Sequence, residues 1–171
     1  PLMLLAAVAI RLESPGGVLF AQDRIGRHGR IFRLYKLRSM RSDAERGGAR
    51  WADDGDARVT RVGRFLRKTR IDEIPQLWNV LRGEMSLVGP RPERPEFADG
   101  LAREYPYFAL RSMVRPGLTG WAQVRHGYVN DVQGWEHKLE LDLYYVKNRS
   151  IAMDLLILLQ TVRILVQMKG V

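Results

Sequence analysis

Cysteine is missing from all 171 residues, which excludes a disulfide framework, thiol catalysis and cysteine-ligated zinc and is compatible with a reducing compartment. Histidine is scarce: His28, His126 and His137 stand apart, at no spacing that would chelate a metal. Negative charge is also in short supply, with 19 Asp plus Glu against 28 Lys plus Arg and a formal net charge of +9. That excess favours anionic partners such as nucleic acid, acidic lipid or phosphorylated substrates, without choosing among them. Long apolar runs are lacking too. Pro1 to Ile10 contain nothing polar, yet ten helical residues reach only about 15 Å, half of a bilayer's hydrocarbon core. They cannot span it as a helix. A signal peptide would suit Ala7-Val8-Ala9, but no initiator Met and no basic leader stand in front of the run. The chain reads as truncated at its start, and the expectation is a helix that dips into a membrane or lies at its interface. Internal repeats and low-complexity tracts are absent, and the length suits one compact domain, with or without an appendage.

Ser14-Pro15-Gly16-Gly17 ends the first helix. Val18 to Gln22 and Ile31 to Lys36 read as two short strands, with Gly26 and Gly29 turning between them. The stretch from Ser42 to Asp56, rich in Gly, Asp and Arg without a period, reads as a mobile surface loop able to serve as a lid. Helical signal returns over Val62 to Arg67 and over Asp72 to Leu81, with Pro75 in or near a first turn and Gly83 ending the segment in a left-handed conformation. Glu93 to Tyr105 is expected as a surface helix opened by Pro92 and Pro95. Arg115-Pro116-Gly117-Leu118-Thr119-Gly120-Trp121 is a turn-rich loop. Its glycines would let backbone amides approach a ligand, unless it is an ordinary turn around a core tryptophan. Helices are expected over Trp135 to Tyr145 and Ile151 to Met168, the latter lying along a membrane surface or packing on the domain.

The chemistry concentrates at Asp72-Glu73, two adjacent carboxylates in a cationic stretch. Consecutive helical side chains diverge by about 100°, so the two cannot address one atom in the same way. One can attack while its neighbour holds a metal. A carboxylate displacing at phosphorus would form an acyl phosphate, labile enough to pass its group to a second acceptor. The substrate's negative charge must first be neutralised, and Arg67, Lys68, Arg70 and Arg91 are near in sequence. A structural reading competes: Thr69-x-x-Asp72 fits a capping box, with acidic residues stabilising a first turn.

Ordered blocks along nearly the whole chain resemble the bacterial sugar transferase family, the monotopic polyprenyl-phosphate phosphoglycosyl transferases. They are Gln22 to Gly26, Tyr35 to Met40, Thr60 to Arg67, Ile71 to Val80, Gly83 to Glu93, Pro116 to Val124 and Asp142 to Asn148. The resemblance implies transfer of a phosphosugar from a nucleotide sugar, usually a UDP-sugar, to undecaprenyl phosphate, with release of UMP. It implies Asp72 as the nucleophile that takes the phosphosugar, and Glu73 as the ligand of Mg2+. Arg67 and Arg91 would hold phosphate oxygens, with Lys36 and Arg38 as further members of the anionic pocket. Gly89, Pro90, Arg115, Pro116, Gly117 and Thr119 would form the nucleotide or substrate loop. The implied fold is α+β: a mainly helical compact domain with a small β-hairpin or sheet and C-terminal amphipathic helices. Residues 1–13 would be the returning half of a re-entrant membrane helix bent at Pro1, and 14–171 the catalytic domain.

The expected location is the bacterial inner membrane, monotopic, with the catalytic domain facing the cytoplasm. Membrane lipid is an expected partner, nucleic acid is not, and a homodimer is left open. Two departures from the family pattern are visible: the missing first half of the membrane hairpin, and Arg125-His126-Gly127-Tyr128 where an Asn-Gly-Arg type of sequence is commoner, which bears on sugar choice. Pro95-Glu96-Phe97 points to the exopolysaccharide branch. A rival comes from Arg24 to Ile31, which resembles the Gly-x-x-Gly loop of an RNA-binding KH domain, although that loop must join two helices. A non-catalytic membrane-associated remnant is a third reading.

Overall fold

The computed structural model describes residues 1–51, 55–125 and 132–167. His126, Gly127 and Tyr128 of the family departure, Met168 and part of the 42–56 loop lie outside them. The described chain is a mixed helical and small-sheet fold. Helix α1 (Leu2–Glu13) leads to strand β1 (Leu19–Ile25), which pairs antiparallel with β2 (Ile31–Leu37) from Leu19↔Leu37 to Ile25↔Ile31. His28 at φ 57 and Gly29 at φ 75 make the reversal, and a Cβ on Gly26 would press on the Phe32 ring. The Arg24 to Ile31 segment therefore joins strands, not the helices that the RNA-binding rival requires.

Helix α2 (Arg61–Thr69) is capped by Thr60, whose hydroxyl accepts from the Gly63 amide at 2.9 Å. It ends at Arg70, which takes a left-handed conformation. The continuous helix expected from Asp72 does not form. Instead Ile71–Glu73 make a 3₁₀ turn before α3 (Gln76–Leu81). Pro75 has no N–H to give the Ile71 carbonyl, so that carbonyl accepts from Ile74 at 3.2 Å and the turn stays tight. Gly83 adopts positive φ after α3, as its position predicts.

Strand β3 (Ser86–Val88) pairs in parallel with β4 (Gly117–Thr119), so the expected 115–121 loop contains a strand. The two run close enough that a Cβ on Gly89, Gly117 or Gly120 would overlap the facing backbone. Their glycines serve this approach: the Gly89 amide donates to the Thr119 carbonyl and the Gly117 amide to that of Pro90, each at 2.9 Å.

Helices α4 (Pro95–Glu104), α5 (Trp121–Arg125), α6 (Val132–Asn148) and α7 (Ile151–Val166) complete the fold, with α6 extending three residues beyond each end of the expected Trp135 to Tyr145. Four apolar clusters hold it together. Ala6 and Ile10 of α1, one helical turn apart, pack on Leu37 and Leu66. Phe32, Leu34 and Met85 join the hairpin to the α3–β3 link, Ala98, Leu101, Phe108 and Trp135 join α4 to α6, and Val88, Tyr145 and Ile157 join β3, α6 and α7. Much of α1 and α7 stays exposed and apolar, including Leu4, Leu5 and Leu12 of the first and Ile151, Leu159 and Val166 of the second. Among the described residues no helix is long and apolar enough to cross a membrane.

The described part of the 42–56 loop is pinned. Arg58 donates to the carbonyls of Ala44 at 3.3 Å and Trp51 at 3.0 Å, Arg94 donates to Glu45 at 2.8 Å, and the Trp51 ring lies 4.6 Å from that of Phe97. The close β3–β4 crossing makes a specific demand. Gly117→Ala is expected to lower stability by about 3 kcal/mol through overpacking against backbone that cannot yield, read by urea denaturation; a loss below about 1 kcal/mol would show that the strands can part.

Candidate active site

The 3₁₀ turn decides how the two carboxylates point. At three residues per turn, Asp72 and Glu73 diverge by about 120°. Both are buried, at 6% and 8% exposure. The α3 segment that follows the turn is fixed to β2 by Asn79, which is fully buried: its amide donates to the Arg33 carbonyl and to Glu84, both at 2.7 Å, and its oxygen accepts from the Tyr35 amide at 3.3 Å. Thr69 does not cap this turn. Its hydroxyl donates back to the Phe65 carbonyl at 2.9 Å and lies 3.2 Å from that of Leu66.

Glu73 accepts from Arg91 at 2.7 Å and faces Arg70 at 3.6 Å. Burial alone would raise its pKa, but the guanidiniums of Arg91 and Arg70 outweigh burial and hold it below the usual carboxylate range. Asp72 behaves oppositely. Burial first and the charge of Glu73 second push its pKa up to about 6, against the pull of Lys36, Arg67 and Arg91. Its Oδ1 is buried and has no hydrogen-bond partner among the described residues. Two neighbouring carboxylates thus differ in kind: one paired and anionic, the other under-satisfied inside a ring of cations.

The hairpin supplies that ring by strand alternation. Phe20, Gln22 and Arg24 share a face of β1 with Lys36 of β2, which sits opposite Phe20 with its ammonium 5.2 Å from the ring centroid. Burial and the adjacent charges of Arg24 and Arg67 bring the Lys36 pKa down to about 8. Arg67 donates from α2 to the Ser39 hydroxyl at 3.0 Å. These groups line a cavity of about 190 Å³ together with Trp51, Arg58 and Arg94. A second, apolar cavity of about 330 Å³ meets Glu73 and Arg70 from the other side, between Leu77, Leu118, Leu158 and Leu165.

The remaining sequence-expected residues divide. Arg38 reaches the wall of the cationic cavity, but its guanidinium donates to the carbonyls of Ser14 at 2.8 Å and Pro15, tying the end of α1 to β2. Lys68 sits on the exposed side of α2. Gly89 and Gly117 are occupied with one another, Pro90 and Pro116 line a cavity behind the Arg91 loop, and Thr119 hydrogen-bonds Thr161 of α7 at 2.7 Å while bordering the apolar cavity. Arg115 lies on the opposite face of the β3–β4 pair.

Sequence reasoning missed Arg24, which donates to the Pro92 carbonyl at 2.9 Å and is lowered to about 10 by burial. Period-two alternation with Gln22 and Phe20 was the signal available for it. It also missed the support beneath Arg91. Arg111 donates to the Arg91 carbonyl at 2.9 Å and to Asp142 at 2.6 Å, and Lys138 donates to Glu93 at 2.7 Å. Glu93 would be raised by burial, but Lys138 and Arg111 hold it at about 2. No local motif announces this network, because its members come from three separate segments.

Among the described residues no group of three or more His, Asp or Glu gathers to hold a metal. A hard divalent cation needs less: Mg2+ is commonly held by one or two carboxylates, with water and substrate phosphate completing its shell. Glu73 and the unpartnered Asp72 oxygen fit that donor set.

The pattern described as bacterial sugar transferase matches residues 1–168. Over 163 residues the chain is 55% identical to a UDP-N-acetylgalactosamine-undecaprenyl-phosphate N-acetylgalactosaminephosphotransferase of Aeromonas hydrophila, covering 95% of this chain and 38% of that protein. A UDP-glucose:undecaprenyl-phosphate glucose-1-phosphate transferase of Caulobacter vibrioides is 49% identical over 164 residues, with 95% and 61% covered. An exopolysaccharide production protein of Rhizobium leguminosarum bv. phaseoli is 43% identical over 168 residues, with 95% and 84% covered. The chain thus spans 38% and 61% of the length of the first two relatives.

The raised Asp72 pKa has a thermodynamic consequence. Between pH of about 4 and about 6 the folded chain holds this proton more tightly than the unfolded chain, so the Asp72 contribution to stability is lost as pH rises through that window. Asp72→Asn is therefore expected to melt higher than the wild type at pH 7.5, with the difference shrinking toward pH 4. Thermal denaturation across that range checks it, and a variant less stable than wild type at pH 7.5 would contradict the assignment.

Proposed function

This chain belongs to the bacterial sugar transferase family, and on that premise we propose that it transfers a sugar 1-phosphate from a UDP-sugar to undecaprenyl phosphate, with Asp72 as the covalent carrier. The observation that carries the reading is the buried, unpartnered Oδ1 of Asp72 beside Lys36, Arg67 and Arg91. In the first half-reaction a carboxylate oxygen of Asp72 attacks the phosphorus that bears the sugar. The bond to the inner phosphate breaks, its electron pair leaves with UMP, and the phosphosugar remains on Asp72 as an acyl phosphate. In the second, an oxygen of undecaprenyl phosphate attacks the same phosphorus and the Asp72 carboxylate is regenerated. No proton has to move in either step.

Lys36, Arg67 and Arg91 neutralise the equatorial oxygens and reduce repulsion between the diphosphate and the attacking carboxylate. Arg24 holds the Pro92 carbonyl and Arg111 the Arg91 carbonyl, which keeps the Pro90-Arg91-Pro92 loop over Glu73. Glu73 would hold Mg2+, which when bound stabilises charge on the diphosphate. Two cavities, one lined by Lys36 and Arg67 and the other by Glu73, differ in character as the two substrates do. The cationic one suits a soluble nucleotide, the apolar one a polyprenyl chain. Because the phosphosugar waits on Asp72, the two bulky phosphates need not be bound together.

Exposed apolar side chains on α1 and α7 support a monotopic seat on the bacterial inner membrane with the catalytic domain on the cytoplasmic side, α1 acting as one half of a re-entrant helix and residues 14–171 as the catalytic domain. The names of the relatives support a role in exopolysaccharide or related glycan assembly.

Radiolabelled UDP-sugar tests the chemistry. The wild type should acquire a covalent label sensitive to hydroxylamine, faster as pH rises through about 6 because Asp72 must be ionised. Asp72→Asn should lose labelling and UMP release by at least about 10³-fold, and Glu73→Gln by about 10²-fold. Wild-type turnover in Asp72→Asn would sink the covalent reading, and a folded wild type that never labels would favour the non-catalytic remnant.

A further inference from the structure

The sequence motif that the catalytic reading leaves unused is Arg115. Alternation along β3 explains its isolation: Leu87 faces the apolar cavity next to Glu73, whereas Ser86 and Val88 face a separate cavity of about 450 Å³. Three arginines from distant segments converge there: Arg27 from the hairpin turn, Arg115 from the approach to β4, and Arg149 from the junction between α6 and α7. All three are exposed, and among the described residues no carboxylate pairs with them. Arg27 is fixed by donating to the Met113 carbonyl at 3.3 Å. The wall also contains one carboxylate, Asp154, which is taken by the Tyr145 hydroxyl at 2.8 Å. Three guanidiniums against one aspartate leave two net positive charges around an open polar cavity.

The rim of this cavity gives its second property. Ile151 stands there at 81% exposure and opens a line of exposed apolar side chains along α7: Leu155, Leu159, Val162 and Val166, spaced four, four, three and four residues apart. A ligand that fits both features has a phosphate at one end and hydrocarbon at the other. Guanidiniums recognise phosphate oxygens through paired, charge-assisted hydrogen bonds, and the α7 stripe would lie against acyl chains.

We propose that the cavity bounded by Arg27, Arg115 and Arg149 binds the phosphodiester headgroup of an anionic membrane lipid. It is a site distinct from Asp72 and Glu73, on the other face of the β3–β4 pair, and it stands or falls independently of phosphosugar transfer. Its effect is orientation: the headgroup contact pins the start of α7 to the lipid surface.

Vesicle flotation of the full chain tests this. Arg115→Gln combined with Arg149→Gln should weaken binding to phosphatidylcholine vesicles containing phosphatidylglycerol by about 25-fold and leave binding to pure phosphatidylcholine unchanged. The exposed pair Arg46 and Arg103 changed to Gln serves as the control for overall charge. An equal loss in the control overturns the proposal. The wild type gives a readout that no misfolded variant can obscure: phosphatidylglycerol in bicelles should shift the Nε–H resonances of Arg115 and Arg149 and not those of Arg46 and Arg103. Absence of that selective shift overturns the site. A selective shift with soluble glycerol 3-phosphate but none with phosphatidylglycerol bicelles overturns the lipid assignment and points to a free phosphate ester.

Discussion

Two carboxylates on consecutive buried residues repel each other and lose water, and the site exists because cations from four segments offset both costs. Arg91 and Arg70 hold Glu73 anionic, while Lys36 and Arg67 lie close to Asp72 without removing its deficit. Bringing those cations to one place requires the hairpin, α2, the tight turn before Pro75 and the Pro90-Arg91-Pro92 loop to keep fixed relative positions. Most of the buried polar hydrogen bonds described above can be read as serving that requirement.

The supports are themselves charged. Arg111 and Asp142, with Lys138 and Glu93, form a buried network whose members would each be costly alone. Its geometry ends on the Arg91 backbone, so the network converts the packing of α6 into the position of one guanidinium. Arg38 plays the same kind of part, holding the Ser14 and Pro15 carbonyls just past α1. A basic residue in this protein is therefore as often a brace as a binding group. The net charge of +9 states only that anions are welcome, not which arginines meet them.

The glycines of the Gly89 and Gly117 segments make a related point. As residues, they are equally suited to baring amides for a ligand and to letting two strands approach. The structure assigns them to the second use, because their amides are already bonded across the β3–β4 pair. Arg115, adjacent to them in sequence, is carried to the reverse face by the same short strand. Proximity in sequence to a reactive motif is then no guide to proximity in space.

What the amino-acid order alone determined is local: the hairpin from its alternation, the helices from their apolar spacing, the end of α3 from Gly83, and the carboxylate pair from adjacency within a cationic stretch. Each depends on interactions spanning a few residues, which a linear reading can see. Tertiary structure decided the rest. The 3₁₀ geometry at Asp72, the parallel β3–β4 pair, the membership of Arg24 in the site and the diversion of Arg38 and Arg115 all depend on groups more than twenty residues apart or on a single missing N–H at Pro75. Which cation neutralises which anion is set by three-dimensional distance and burial, because electrostatic energy depends on both and neither is written along the chain.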